Sequence, residues 1–253
     1  MLKRAIRIGV IVVLTVFEQG HRTSAAEIEV DLALVIAVDV SRSMDEDEQR
    51  LQRSGYVDAF GSNAVHHAIA EGITGRIAVV YMEWSGPNEQ NVVIPWTVVD
   101  SPERATELAE RLAKAPFRRV FNTSISGAID FSIKLLGESG VHPVRRVIDV
   151  SGDGSNNTGR MVTLARDDAV AQGVTINGLP LLIKRLTGLG HIANLDHYYQ
   201  DCVIGGPGAF IVPVREARDF AGAIRSKLVR EIAGVIERNA LIKPAQERQV
   251  LNC

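Results

Sequence analysis

Polar and apolar positions follow three rhythms along this chain, and each predicts a different element. Leu32-Ala33-Leu34-Val35-Ile36-Ala37-Val38 is an unbroken apolar run rich in β-branched residues. Such a run reads as a strand buried on both faces, as in a parallel sheet. Asp45 to Phe60 changes to helical spacing, with Asp45, Glu46, Asp47 and Glu48 crowding the first turn, where the helix dipole favours anions. Ala64 to Ala70 predicts a second short helix. Arg76 to Trp84 and Asn91 to Val99 read as strands joined through the turn Gly86-Pro87-Asn88. So short a connection makes them antiparallel neighbours, and Pro95 places the second on a sheet edge. Ser101-Pro102-Glu103 opens a helix running to about Lys114, with a capping serine and a proline at the first helical position.

The second half keeps alternating. Ile125, Ile129, Ile133 and Leu136 give helical spacing to Ser124–Leu136, and Arg145 to Val150 is again a buried strand. A helix over Met161–Gln172, a strand over Val174–Ile183, a short helix over Asp196–Cys202, a strand over Ala209–Val214 and a long helix from Glu216 to about Arg238 complete the pattern. Strands alternating with helices predict an α/β fold, three-layered and doubly wound, with a mostly parallel sheet and one antiparallel edge strand. No Pro/Gly/Ser-rich linker interrupts it, so residues 27–240 are expected to form one domain. In such sheets ligands bind beyond the carboxyl ends of the strands.

Chemistry collects at those ends. Asp39, Ser41 and Ser43 follow the first buried strand as D-x-S-x-S, and Asp153 follows a central strand in Val150-Ser151-Gly152-Asp153-Gly154. Alternating oxygens at a strand end can turn toward one point, and such hard donors suit Mg²⁺ or Mn²⁺ far better than zinc. Each residue also has a plainer role open to it. Ser41 or Ser43 could cap the helix that follows, Thr123 could cap its own, and Asp153-Gly154 could be only a turn.

The three segments together resemble the von Willebrand factor A-type (vWA) domain over roughly residues 29–238. Asp39, Ser41 and Ser43 match the first element of that family's metal-ion-dependent adhesion site. Thr123, in Phe121-Asn122-Thr123-Ser124-Ile125-Ser126-Gly127, matches the threonine element, and Asp153 the aspartate element, with Gly152 inserted between serine and aspartate. The stretches Tyr198–Phe210 and Ile148–Gly154 are closer still to an uncharacterised bacterial subgroup of exported vWA-like proteins. The resemblance implies direct metal bonds from the Ser41 and Ser43 hydroxyls, with Thr123 binding directly or through water. It implies that Asp39 and Asp153 act largely through waters. Two carboxylates and three hydroxyls leave the ion short of anionic donors, so an Asp or Glu of a protein partner would complete its shell.

Composition narrows the setting. Lys3, Arg4 and Arg7 precede the apolar run Ile8–Phe17, and Ser24-Ala25-Ala26 resembles a cleavage site, so residues 1–26 read as a signal peptide and the protein as periplasmic or secreted. Without them 24 basic and 29 acidic residues remain, a net charge of −5 that argues against nucleic acid and anionic lipid as partners. Cys202 and Cys253 are the only cysteines. In an oxidising compartment the pair is a candidate disulfide tethering the tail 241–253, the alternative being two unpaired thiols.

Other chemistries find little support. A phosphatase using Asp39 as nucleophile, the alternative function, needs a second carboxylate two residues on, where Ser41 stands. No G-x-S-x-G elbow is present, and Gly205–Gly208 lacks the lysine of a P-loop. Two lobes with a hinge, as a small-solute receptor requires, are not indicated. A metal-dependent binding module without catalytic activity is the expectation. Asp149, buried in its strand, calls for a partner, for which Arg145, Arg146 or a hydroxyl are at hand.

Overall fold

The computed structural model describes residues 28–118, 120–183, 194–234 and 253. Residues 1–26, expected to be a signal peptide, and the tail 241–252 lie outside the described residues. Five strands form one sheet in the order β3-β2-β1-β4-β5, with β1 (Ile28–Asp39) at its centre, flanked in parallel by β2 (Ile77–Trp84) and β4 (Val141–Gly152). β5 (Val174–Pro180) runs parallel to β4, and β3 (Gln90–Val99) pairs antiparallel with β2 on the far edge. Pro95 thus sits on an edge strand, where a missing ladder N–H is tolerated.

The unbroken apolar run of β1 is explained by two cores. Leu32, Leu34, Ile36 and Val38 point into one, with residues of α1 (Glu46–Phe60), α2 (Asn63–Ala70), α3 (Pro102–Lys114) and α7 (Phe220–Ala233). Ala33, Val35 and Ala37 point into the other, with α4 (Ile125–Gly137), α5 (Val162–Ala171), α6 (Leu195–Tyr198) and the π-helical turn Tyr199–Val203. A strand with helices on both faces has no solvent side on which to place polar residues.

Two expectations are corrected. Residues Ala209–Val214 form no strand, only isolated bridges from Ile211 to Gly178 and from Val214 to Leu181. They track the edge of β5, but the N–H of Phe210 is taken by Asn177 Oδ1 at 3.1 Å and Pro213 has no N–H, so a regular ladder cannot extend. Of the partners expected for Asp149, a hydroxyl does meet it, that of Tyr56, but neither Arg145 nor Arg146 does. Lys227 of α7 reaches it at 2.5 Å and also meets Glu231 at 2.5 Å, while Tyr56 donates to Asp149 Oδ2 at 3.2 Å. Arg145 instead donates to the carbonyls of Glu231 and Ile232 at 2.8 and 2.6 Å, and so caps the last turn of α7. Cys202, in the π-helical turn, is disulfide-bonded to Cys253 with a Cα–Cα separation of 5.6 Å.

Candidate metal centre

Asp39, Ser41, Ser43, Thr123 and Asp153 meet at the carboxyl ends of β1 and β4. Ser41 N–H donates to Asp39 Oδ1 at 2.7 Å, Ser41 Oγ and Ser43 Oγ lie 3.0 Å apart, and Ser43 Oγ donates to Asp153 Oδ1 at 2.6 Å. One chain of contacts therefore joins four of the five residues across 110 positions of sequence. Thr123 adjoins the same turn, its methyl 4.0 Å from where a Cβ on Gly154 would stand. Asp39, Ser41, Thr123 and Asp153 are buried.

The plainer roles open to these residues are filled by others. The N-cap of α1 is Asp45, which accepts from Glu48 N–H at 2.9 Å while Glu48 Oε2 accepts from Asp45 N–H at 2.9 Å, a complete capping box. Ser124, one residue past Thr123, caps α4 by accepting from Gly127 N–H at 3.1 Å. Neither Ser41, Ser43 nor Thr123 is used as a helix cap.

The loops that carry them are locked together. Asn157 Oδ1 accepts from Thr123 N–H at 3.0 Å, Asn157 N–H donates to Thr123 O at 2.9 Å, and Asn156 Oδ1 accepts from Ser126 N–H at 3.0 Å. Asn122, at φ 71°, is the one non-glycine residue in the left-handed region among those described, and it turns Thr123 inward after the exposed Phe121. Beneath the site, Gln52 of α1 donates to Ser151 Oγ at 2.6 Å.

The electrostatics call for a cation. Asp39 is fully enclosed, and its carboxyl is pushed up to about 8, first by burial and then by the charge of Asp153, against the opposing hydrogen bonds of Ser41 and the backbone of Asp153. Asp39 Oδ2 is buried and takes no hydrogen bond. A divalent ion would reverse both penalties at once, which is the test that this donor set passes. No group of three or more His, Cys, Asp or Glu side chains capable of holding a metal occurs among the described residues, so the donor set rests on hydroxyls. Gly152, the insertion between serine and aspartate, matters sterically: a Cβ there would stand 2.8 Å from Asp39 Oδ2 and 2.9 Å from Tyr199 Oη.

Gln52, Asn156, Asn157 and Tyr199 were not singled out from sequence for this site. Only the asparagines carried a signal, through their nearness to Asp153. Gln52 lies on a helix face and Tyr199 far along the chain, so no local pattern marks either.

A family profile described as "Protein of unknown function (DUF1194)" matches residues 29–236. The chain belongs to the DUF1194 family. Among curated proteins no sequence matches this DUF1194 chain. Its fold is shared with von Willebrand factor type A from Catenulispora acidiphila, at 14% identity and TM-score 0.53 over 80% of this chain and 43% of that one. The vWF domain of the type V pili tip protein Mfa5 from Porphyromonas gingivalis matches at 10% identity and TM-score 0.54, over 83% and 97% of the two chains. Proximal thread matrix protein 1 from the mussel byssus, in a form with a zinc-occupied MIDAS motif, matches at 13% identity and TM-score 0.57, over 82% and 49%. The DUF1194 chain thus spans about half the length of the mussel protein. No helix among the described residues is long and apolar enough to cross a membrane.

Proposed function

We propose that this protein is an exported binding module, formed by a vWA-like domain over residues 27–240, that captures an Asp or Glu of a protein partner through a divalent ion. The observation that carries the reading is the Asp39–Ser41–Ser43–Asp153 contact chain, closed between two buried carboxylates with Asp39 Oδ2 left without a hydrogen bond. Ser41 and Ser43 would offer hydroxyl oxygens to the ion, with Thr123 beside them, and Asp39 and Asp153 would balance its charge. Bound there, Mg²⁺ or Mn²⁺ would supply an open coordination position for an incoming carboxylate. The zinc-occupied motif of the mussel protein and the pilus-tip setting of the Porphyromonas domain support reading this as adhesion rather than catalysis.

The test is calorimetry of Mg²⁺ and Mn²⁺ binding, beside thermal melting, for the wild type and for Asp39→Ala and Ser41→Ala. The wild type should bind and be stabilised by about 3 kcal/mol at ~100 times its Kd, with neither variant responding. Equal responses in all three proteins would refute the site. Partner capture that disappears with chelator would then supply the ligand.

A further inference from the structure

The π-helical turn Tyr199–Val203 packs in the core that Ala33, Val35 and Ala37 enter, and Tyr199 is fully buried there. Its ring lies against the backbone of the sheet. A Cβ on Gly178 of β5 would stand 2.7 Å from Tyr199 Cδ1, and one on Gly152 of β4 would stand 2.9 Å from the hydroxyl oxygen. Neither glycine has a left-handed backbone to account for it, so what each provides is room for the tyrosine. The side chain thus crosses from β5 over β4 towards β1, the strand that ends in Asp39.

There the hydroxyl comes up beneath the metal centre. The same point above Gly152 is 2.8 Å from Asp39 Oδ2, and of the charged groups around the hydroxyl Asp39 acts on it most strongly. Tyr199 Oη and Asp39 Oδ2 are both buried, and neither has a hydrogen-bond partner among the described residues. A buried donor and a buried acceptor that crowd one point unpaired are costly as they stand. The turn itself is well anchored. Ile204 N–H donates to Tyr199 O at 3.0 Å, and Cys202 is bonded to Cys253. Tyr198, beside it, accepts from Asn156 N–H at 3.2 Å, in the loop that Asn157 ties to Thr123. Two neighbouring tyrosines therefore reach two sides of the centre.

We infer that Tyr199 is a positioning residue of the metal centre, its hydroxyl donating to Asp39 Oδ2 when a cation is bound. The inference rests on the adhesion reading for the cation and adds the group that fixes Asp39 from inside the core. Beside a cation Asp39 is ionised, and its buried oxygen then calls for a donor. A phenol keeps its proton at neutral pH and can supply one. A carboxylate oxygen accepts more than one bond, so the hydroxyl does not displace the ion or its waters. Packing alone gives no reason for the hydroxyl, since a phenylalanine ring would fill the same slot. Groups that orient a metal's ligands in this way act on affinity without touching the metal.

The test compares the wild type with Tyr199→Phe, which keeps the ring and removes only the hydroxyl. In Mg²⁺ calorimetry the variant should bind about tenfold more weakly or worse. In chelator it should melt at or above the wild-type temperature, because an unpaired buried hydroxyl has been removed. A role in packing alone predicts the reverse, a lower metal-free melting temperature and unchanged Mg²⁺ affinity. The second readout is NMR of protein labelled with carbon-13 at tyrosine Cζ, the chain having four tyrosines. The Tyr199 signal, identified by its absence from the variant, should move when Mg²⁺ saturates the wild type. Those of Tyr56 and Tyr81, on the other face of the sheet, should stay in place. Equal Mg²⁺ affinity of the two proteins, or a Tyr199 signal unmoved at saturation, would overturn this inference and leave the metal site standing. A wild type that binds no Mg²⁺ would overturn both.

Discussion

Replacing Lys227 by Met should produce a protein whose stability is governed by pH. Lys227 is 1% exposed and lies 2.5 Å from both Asp149 and Glu231, which are themselves buried. Two carboxylates share one ammonium, so the fully ionised cluster carries a net charge of −1 in the core. Glu231 responds by holding its proton: burial first, then the charge of Asp149, pushes its carboxyl up from 4.5 to about 7. The sign follows from linkage. A carboxyl raised in the folded state contributes stability that is fully present below its unfolded value and lost as pH rises through the folded one. In the wild type this gap corresponds to on the order of 3 kcal/mol lost between about pH 4.5 and pH 7. Lys227→Met removes the only cation of the cluster and leaves two buried carboxylates facing each other, a loss of about 3–5 kcal/mol near neutral pH. Urea unfolding at pH 5 and pH 8 reads both effects: the variant should be far weaker at pH 8 and partly recover at pH 5. Adding Glu231→Leu should recover much of the loss at pH 8. A variant that loses under ~1 kcal/mol at pH 8, or shows no steeper pH dependence than the wild type, would refute the view that Lys227 holds this charge pair in place.

Two further outcomes can be checked directly. Gly152→Ala should cost about 1–3 kcal/mol in thermal or urea unfolding, because its Cβ would press on Asp39 Oδ2 and Tyr199 Oη, both inside a close-packed site, and should weaken Mg²⁺ binding by calorimetry. Cys253→Ser should lower stability by about 4 kcal/mol, since the bond to Cys202 spans 51 residues and restricts the unfolded chain, an effect that vanishes when both proteins are compared in reductant.

The local rules of the fold are plain in the sequence. The β-branched run 32–38, the acidic first turn at 45–48, Ser101-Pro102 and the hairpin turn at 86–88 each determine an element from neighbouring residues alone. They therefore survive in the structure with boundaries shifted by a few positions, β1 and β4 being longer because flanking polar residues such as Glu29 and His142 also pair. Long-range choices were hidden. Lys227 on α7 has the spacing of a core position and the chemistry of a surface one, and only the arrival of Asp149 from β4 reconciles the two. Arg53 with Glu83, and Gln52 with Ser151, are the same kind of pairing between helix and sheet. The path of residues 209–214 was misread because an apolar run reports burial, whereas a ladder also needs available N–H groups. Asp39, Ser41, Ser43 and Asp153 were visible as oxygens at strand ends and Thr123 only through the family resemblance, while the capping roles of Asp45 and Ser124, which release Ser41, Ser43 and Thr123 from that task, depend on the folded arrangement.

The order of the strands also governs when the metal centre can come into being. Its two halves are split by the hairpin, four helices and the whole of β4, and the contact between Ser43 and Asp153 closes only when β4 has docked against β1. A contact of such long sequence separation forms late in folding, because loop closure must precede it. A chain threaded through a membrane as an extended polymer would therefore emerge with its first oxygen donors, at 39–43, unable to assemble the site until residues more than a hundred positions later had followed. On the proposed reading, cation capture would require β4 to have joined β1, so a chain stalled before that step would lack a complete donor set.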